Sequence, residues 1–148
     1  MRIAVISGPN LDRIGTREPS IYGSFTLDEL HQLLRREAEK RGASVDLLQS
    51  NHEGALIDAI WQARDENANG ILINAGAYSH TSIALFDALR GAGLPAVEVH
   101  LSHPEAREPF RHHSRIAAAC IAKVAGFGAM SYVLALAGLL AHLEQKKA

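Results

Sequence analysis

Short apolar runs alternate with amphipathic segments along nearly the whole chain. These runs predict five β-strands, "RIAVIS", "SVDLLQ", "GILINA", "PAVEVHLS" and "CIAKVAG", the first of them by its β-branched content. After the first, second, third and fifth runs, apolar residues recur every three or four positions, as on one face of an α-helix. The pattern therefore predicts a regular alternation of strands and helices.

The predicted helices carry recognisable start signals. Thr26 and Glu29 have the spacing of a capping box, and Gly42 is placed to end that first helix. Ser50 and Glu53 repeat the spacing and predict the start of a second helix, whose buried stripe would be Leu56, Ile57, Ile60 and Trp61. A third helix is predicted in "TSIALFDALRGAG", and a last one from about Ala129 to Gln145.

Strands that alternate with helices favour a parallel sheet covered on both faces. Five such units predict an α/β fold, a flavodoxin-like, doubly wound three-layer sandwich with a five-stranded parallel sheet. The length of 148 residues predicts one domain, 1–148.

Composition narrows the class of protein. The net charge of -1 gives no basic excess for nucleic-acid binding. The apolar stretch 116–141 is interrupted by Lys123, Gly126 and Gly128, which favours a buried strand, a turn and a helix over a membrane span. The single cysteine, Cys120, excludes an internal disulfide and fits a reducing compartment such as the cytoplasm.

The fourth predicted strand departs from the apolar pattern of a central parallel strand. In "VEVHLS", alternation places Glu98, His100 and Ser102 on one face. Two interpretations are open: an edge strand with a solvated face, or a catalytic pair in which the carboxylate orients the imidazole and favours its protonated form.

Other polar residues follow the ends of the predicted strands. Ligands of doubly wound sheets bind at the carboxyl ends of the strands, where this chain places Asn10, Asn74, His80, His100 and Ser102. Ser50, Asn51 and Ser79 are interpreted as helix caps. Arg107, Arg111 and Arg115 recur at every fourth position, as in a basic stripe on a helix, and at least one is expected to face this crevice.

The loop "GPNLDRIGTREPSIYG" follows the first strand but lacks the Gly-Lys-Ser/Thr ending of a phosphate loop, and the spacing of its glycines does not fit a dinucleotide fingerprint. No H-E-x-x-H metal motif occurs in the chain.

The remaining hypothesis for this crevice is acid–base chemistry without a cofactor. The pKa of a free tyrosine phenol is about 10, so tyrosine is a poor base at neutral pH. A neighbouring guanidinium lowers that pKa because it favours the phenolate. Arg17 and Tyr22 are thus a candidate base, although Tyr22 could equally be an ordinary half-buried loop aromatic.

Five stretches in the same order together resemble the type II 3-dehydroquinate dehydratases: "GPNLDRIGTREPSIYG", "QSNHEGALID", "INAGAYSHTSIALFDAL", "VEVHLSH" and "REPFRHHS". The resemblance implies a cytoplasmic hydro-lyase with a flavodoxin-like fold that converts 3-dehydroquinate to 3-dehydroshikimate through an enolate, with neither metal nor cofactor. It implies a place in the shikimate pathway of aromatic amino acid biosynthesis or in quinate catabolism.

The resemblance also implies roles for individual residues. Tyr22 would be the base, supported by Arg17, and His100 the acid, supported by Glu98; Asn10 would position a water at the enolate oxygen. The substrate would be bound by Asn74, the backbone of Leu101 and Ser102, His80 and Arg111. Asp87 would reach a neighbouring subunit's site in a homododecamer built of trimers, and residues 8–25 would form an active-site lid.

A binding module is the alternative from another class. A flavodoxin-like domain could hold a flavin or another phosphate-bearing ligand at the same crevice. The first loop lacks the Ser/Thr-rich cradle expected for flavin phosphate, and this alternative leaves Arg17 and Tyr22 without a role.

Overall fold

Five parallel strands form one sheet in the computed structural model, which describes residues 1–16 and 18–146. The predicted catalytic residue Arg17 lies outside the described residues. The strands are β1 (Arg2–Ser7), β2 (Ser44–Gln49), β3 (Gly70–Asn74), β4 (Ala96–His100) and β5 (Ala122–Ala125). Their order in the sheet is β2-β1-β3-β4-β5, so β4 lies between two strands and is not an edge. This is the predicted flavodoxin-like strand order.

The described residues form one short helix and four longer ones. They are α1 (Pro19–Tyr22), α2 (Leu27–Glu39), α3 (Glu53–Asp65), α4 (Ile83–Ala92) and α5 (Ala129–Gln145). The capping box predicted at α2 is confirmed, because the Thr26 side chain accepts from Glu29 N while the Glu29 carboxylate accepts from Thr26 N. No helix in the described part of the chain is long and apolar enough to cross a membrane.

The second predicted capping box is wrong. His52 precedes α3 and makes no side-chain cap, while the Ser50 hydroxyl accepts a hydrogen bond from His52 N at 3.1 Å. The hydroxyl therefore closes the turn before α3 instead of capping the helix. Trp61 was predicted in the buried stripe but is 37% exposed, and its ring packs beside Gly91 of α4.

The core has two halves, one on each face of the sheet, because alternate residues of the buried strands point in opposite directions. On one face α2 and α5 cover Ile3, Val5, Leu72 and Val97. On the other face α3 and α4 cover Ala4, Ile6, Ile71 and Ile73. The sheet is therefore the middle layer of a three-layer sandwich, and the loops that follow its strands gather at one edge.

Two of these loops are in close contact. Gly8 N donates to Asn74 O at 2.7 Å, and Gly76 adopts a φ of +57°, a conformation that favours glycine. A Cβ at Gly8 would lie 2.6 Å from the carbonyl oxygen of Ala75. The chain after β1 can thus reach the chain after β3 only because residue 8 has no side chain.

We expect Gly8→Ala to destabilise the fold by roughly 1–3 kcal/mol, because the added carbon would meet backbone atoms that cannot rotate away. Urea unfolding measures the change. Gly54→Ala is the matched control, since nothing lies within 4 Å of a Cβ there and alanine favours a helix by about 0.5–1 kcal/mol over glycine. A Gly8→Ala variant as stable as the unmodified protein would contradict the close approach.

Candidate active site

A cavity lies where β1, β3 and β4 end, at the edge of the sheet that the sequence indicated. Most of the predicted site residues line it, namely Asn10, Tyr22, Asn74, His80, His100, Leu101, Ser102 and Arg111. Leu11 and Ile14 of the first loop, together with Pro104, add apolar surface that the sequence analysis did not assign to the site. The parallel sheet thus brings together residues that are up to a hundred positions apart in the chain.

Glu98 and His100 form a pair at the centre of the sheet edge. His100 Nε2 lies 2.6 Å from Glu98 Oε1, and the two residues are 6% and 0% exposed. This geometry excludes the solvated edge strand and confirms that the two side chains meet on one face of β4. The Ser114 hydroxyl completes the carboxylate's surroundings, with Oγ 2.8 Å from Oε1 and 2.9 Å from Oε2.

The carboxylate of Glu98 is held in its charged form. Burial acts to raise the pKa of Glu98, but the hydrogen bond and charge of His100 and the hydrogen bond from Ser114 outweigh it, and the pKa lies below its usual value. Since a carboxylate only accepts, Nε2 of His100 carries a proton. Nδ1 is left as the nitrogen that can gain or lose a proton, as a general acid requires.

Asn10 is held at the cavity by its backbone. It adopts a left-handed conformation with φ 66°, and its N–H donates to Asn51 Oδ1 at 2.9 Å. Gln49 Nε2 donates to the same oxygen at 3.1 Å and to Gly8 O at 3.2 Å. The interpretation of Asn51 as a helix cap is therefore wrong, because its carboxamide oxygen anchors the first loop to the end of β2.

Asn74 and His80 reach the cavity from the turn that follows β3. Asn74 is 3% exposed, and its Oδ1 accepts from Gly76 N at 3.2 Å. His80 Nδ1 lies 2.9 Å from the carbonyl oxygen of His113, so Nδ1 must donate and Nε2 is left for a ligand. Ser79, which was interpreted as a cap, is buried in this turn and makes no cap hydrogen bond.

Tyr22 is the tyrosine that lines the cavity. The chain has three tyrosines. Tyr78 donates its hydroxyl to Asn51 O at 2.9 Å, and Tyr132 is fully buried, so that burial raises its pKa. Tyr22 ends α1, and the guanidinium carbon of Arg107 lies 5.2 Å from its ring centroid. The first loop and the segment after β4 thus place a phenol and a cation side by side at the cavity.

The segment between β4 and β5 is not one helix. Residues Pro104–Ala106 and Pro109–Arg111 form separate 3₁₀ turns, so Arg107, Arg111 and Arg115 do not form one stripe. Arg107 Nη1 donates to Ser102 Oγ at 3.3 Å, and Arg111 Nε donates to Glu108 Oε2 at 2.8 Å. Both arginines line the cavity, as expected for at least one, whereas Arg115 Nε donates to the backbone oxygen of His80.

Asp87 is not part of the cavity. It lies exposed on α4, so within this chain it does not join the other predicted residues. Among residues 1–16 and 18–146, no group of three or more His, Cys, Asp and Glu side chains could hold a metal ion. The polar groups of the described site are the Glu98–His100 pair, a second imidazole at His80, the Tyr22 phenol, two carboxamides, the Ser102 hydroxyl and two guanidinium groups.

We expect Glu98→Gln to flatten the acid limb of the stability curve. The folded pKa of Glu98 lies below the ordinary value of 4.5, so its contribution is present above that pH and is lost as the pH falls through the folded pKa. Urea unfolding at a series of values between about pH 3 and pH 6 measures the slope. Glu37→Gln is the control, because it removes a surface pair with Lys40 and Arg41. Salt screens exposed charges, so in high salt this control should change the slope less than Glu98→Gln does. Equal slopes for Glu98→Gln and the unmodified protein would contradict this assignment.

The chain matches known proteins over nearly its whole length. A family model described as dehydroquinase class II covers residues 1–140. The chain is 53% identical over 148 residues to the 3-dehydroquinate dehydratase of Jannaschia sp., with 100% of this chain and 99% of that protein covered. It is 55% identical over 145 residues to the 3-dehydroquinate dehydratase of Prochlorococcus marinus, with 98% of this chain and 97% of that protein covered.

A solved structure is similar as well. The crystal structure of a type II dehydroquinase from Butyrivibrio crossotus superposes with a TM-score of 0.92 at 40% identity, covering 94% of this chain and 97% of that one. The chain therefore belongs to the class II dehydroquinase family.

Proposed function

We propose that this protein eliminates water from 3-dehydroquinate to give 3-dehydroshikimate, through an enolate and in a trans sense. The observation that carries the proposal is that Tyr22 and the Glu98-bound His100 line the same cavity. A base and an acid at one substrate are what an elimination next to a ketone requires. The names of the relatives support the same reaction.

Tyr22 acts as the base in this proposal. As a phenolate it removes the proton alpha to the ketone, and the electron pair of the broken C–H bond moves onto the carbonyl oxygen to form the enolate. The guanidinium of Arg107 lies 5.2 Å from the centroid of the Tyr22 ring and places positive charge beside the phenol. Arg17, five residues earlier in the sequence, is proposed to support the phenolate.

His100 acts as the acid in the second step. When the enolate collapses, the C1–oxygen bond breaks, and Nδ1 of His100 gives its proton to the departing hydroxyl so that water leaves. Glu98 holds the opposite ring nitrogen by a 2.6 Å hydrogen bond, and it stabilises the imidazolium before the proton is given up. Asn10, fixed by Asn51, positions a water at the enolate oxygen, where charge develops.

The remaining polar residues of the cavity bind the substrate. The carboxamide of Asn74 and the backbone of Leu101 and Ser102 are proposed to hold the substrate carboxylate, while Nε2 of His80 and the guanidinium of Arg111 bind the ring hydroxyls. Residues 8–25 are proposed to close over the bound substrate as a lid, which would exclude water from the enolate.

Assembly is part of the proposal. Asp87 is exposed on α4 of its own chain, and we propose that it completes the site of a neighbouring subunit in a dodecamer built of trimers. Exposed apolar side chains at β5 and α5 support an association of this kind; they are Ile121, Phe127, Met130 and Leu134. The reaction would serve aromatic amino acid biosynthesis or quinate breakdown.

The test of the proposed activity is to add 3-dehydroquinate to the purified protein and follow the ultraviolet absorbance of the conjugated enone product. We expect turnover by a colourless protein, and borohydride added with the substrate should not inactivate it, because no imine forms. A folded preparation without turnover would overturn the proposal. A bound-flavin spectrum would favour the flavin-binding alternative.

Tyr22→Phe should lower kcat by roughly 10²- to 10⁴-fold, the usual contribution of a general base. Substrate affinity, measured by calorimetry, should change only a few-fold, because the ring remains in the cavity wall. Tyr78→Phe is the matched control: it also removes a phenol hydroxyl, but one that donates to the backbone of Asn51, and it should keep most of the turnover. Near-normal turnover by Tyr22→Phe would exclude Tyr22 as the base.

A further inference from the structure

Ser114 lies outside the residues that were predicted for the site, yet it is the second partner of the Glu98 carboxylate. We propose that Ser114 is a positioning residue that acts on His100 through Glu98. The inference rests on the proposed function, since it assigns to Ser114 the orientation of the acid. Ser114 is expected to touch neither the substrate nor the reacting atoms.

The direction of the hydrogen bonds carries the argument. Ser114 Oγ accepts from the backbone N–H of Ala117 at 3.2 Å, and its one proton is therefore free to point at the carboxylate. The two carboxylate oxygens lie at 2.8 and 2.9 Å from Oγ, so the hydroxyl straddles the carboxylate. The Ser114 hydroxyl is held by the Ala117 N–H and bonds both oxygens of the carboxylate, and it therefore fixes the plane of the Glu98 carboxylate.

Few other charged or titratable groups face this carboxylate. On its own strand it faces His100. From β5, Lys123 lies opposite Glu98 in the sheet register, and its ammonium is paired with Glu105. Cys120, just before β5, remains a neutral thiol, because burial and then the charge of Glu98 raise its pKa to about 12. Ser114 is thus a neutral donor that reaches the carboxylate from outside its own strand.

Fixing the carboxylate has a direct chemical effect on the imidazole. While Glu98 Oε1 faces Nε2 of His100, the neutral ring keeps its proton on Nε2 and leaves Nδ1 as the nitrogen that can exchange a proton. If the carboxylate could rotate, the Nε2 hydrogen bond would be made only part of the time, and the other tautomer would become populated. That tautomer has no Nε2–H to donate to Glu98, so the ring would lose the hydrogen bond that orients it and that stabilises the imidazolium.

The experiment compares Ser114→Ala and Ser114→Thr with the unmodified protein. We expect Ser114→Ala to lower kcat about tenfold, the order expected for a hydrogen bond to a charged group, while KM for 3-dehydroquinate changes less than about twofold. Ser114→Thr keeps the hydroxyl and should restore most of kcat. In ¹⁵N NMR spectra of the unliganded protein, His100 should be the Nε2–H tautomer, with a mixture of tautomers in Ser114→Ala.

Ser82→Ala is the matched control, because the Ser82 hydroxyl accepts from the backbone N–H three residues later, at Leu85, as Ser114 does from Ala117, but it bonds no carboxylate. It should lose stability without shifting the His100 tautomer. Should Ser114→Ala not fold, Ser114→Cys replaces the hydroxyl by a weak donor of similar shape and tests the same bond.

The outcomes are separable. Absence of turnover by the unmodified protein would overturn the proposed function, while the NMR measurement would still decide whether Ser114 orients the ring. Turnover by the unmodified protein together with an unchanged kcat and an unchanged tautomer in the folded Ser114 variant would overturn the role of Ser114. A tautomer shift shared by Ser82→Ala would overturn it as well, since it would reflect lost stability alone.

Discussion

The buried carboxylate of Glu98 is the constraint on which the site depends. It is fully buried in a central strand, where an unpaired charge would cost several kcal/mol. The fold meets this cost with partners from three parts of the chain: His100 on the same strand, Ser114 in the following loop and Lys123 on β5. Because Ser114 lies in the loop that follows β4 and its hydroxyl bonds this carboxylate, the path of the chain between β4 and β5 is tied to the orientation of Glu98 and, through it, of His100.

The same loop carries the cations of the cavity. Arg107 and Arg111 lie between His100 and Ser114 in the sequence, and both line the cavity. One end of the segment is therefore fixed by β4 and the other by the Ser114–Glu98 bond. Because the backbone of this loop is already held at both ends, less loop entropy is lost when its arginine side chains bind a ligand.

The sequence was informative wherever a feature depends on periodicity or on a motif. Strand alternation was sufficient to put Glu98 and His100 on one face, and the parallel order of the strands was sufficient to bring Asn10, Asn74 and His100 to one edge. Neither kind of reasoning could find Ser114, because its hydroxyl meets Glu98 across a segment of sixteen residues that has no regular repeat.

The errors have physical reasons of the same kind. The spacing of Arg107, Arg111 and Arg115 would give a basic stripe only on a helix, but Pro104 and Pro109 each start a separate 3₁₀ turn, so the segment is not one helix. The spacing of Ser50 and Glu53 imitated a capping box, although the helix begins at Glu53 itself. Asn51 was interpreted from its local position, whereas its partner Asn10 lies 41 residues away.

The start of the first loop and the segment around Tyr22 are held by the fold in different ways. The start of the loop is fixed, because Gly8 packs against Ala75 and Asn10 is bound by Asn51. Tyr22 lies twelve residues further on, in a four-residue helix too short to be stable by itself, and the chain is fixed again at the capping box of Thr26. A group that must stabilise charge as it develops benefits from being rigid before substrate arrives. In the proposed function, a base that must meet a carbon-bound proton would benefit from a segment that closes after the substrate has bound, and the length of the loop between its two anchors is consistent with both demands.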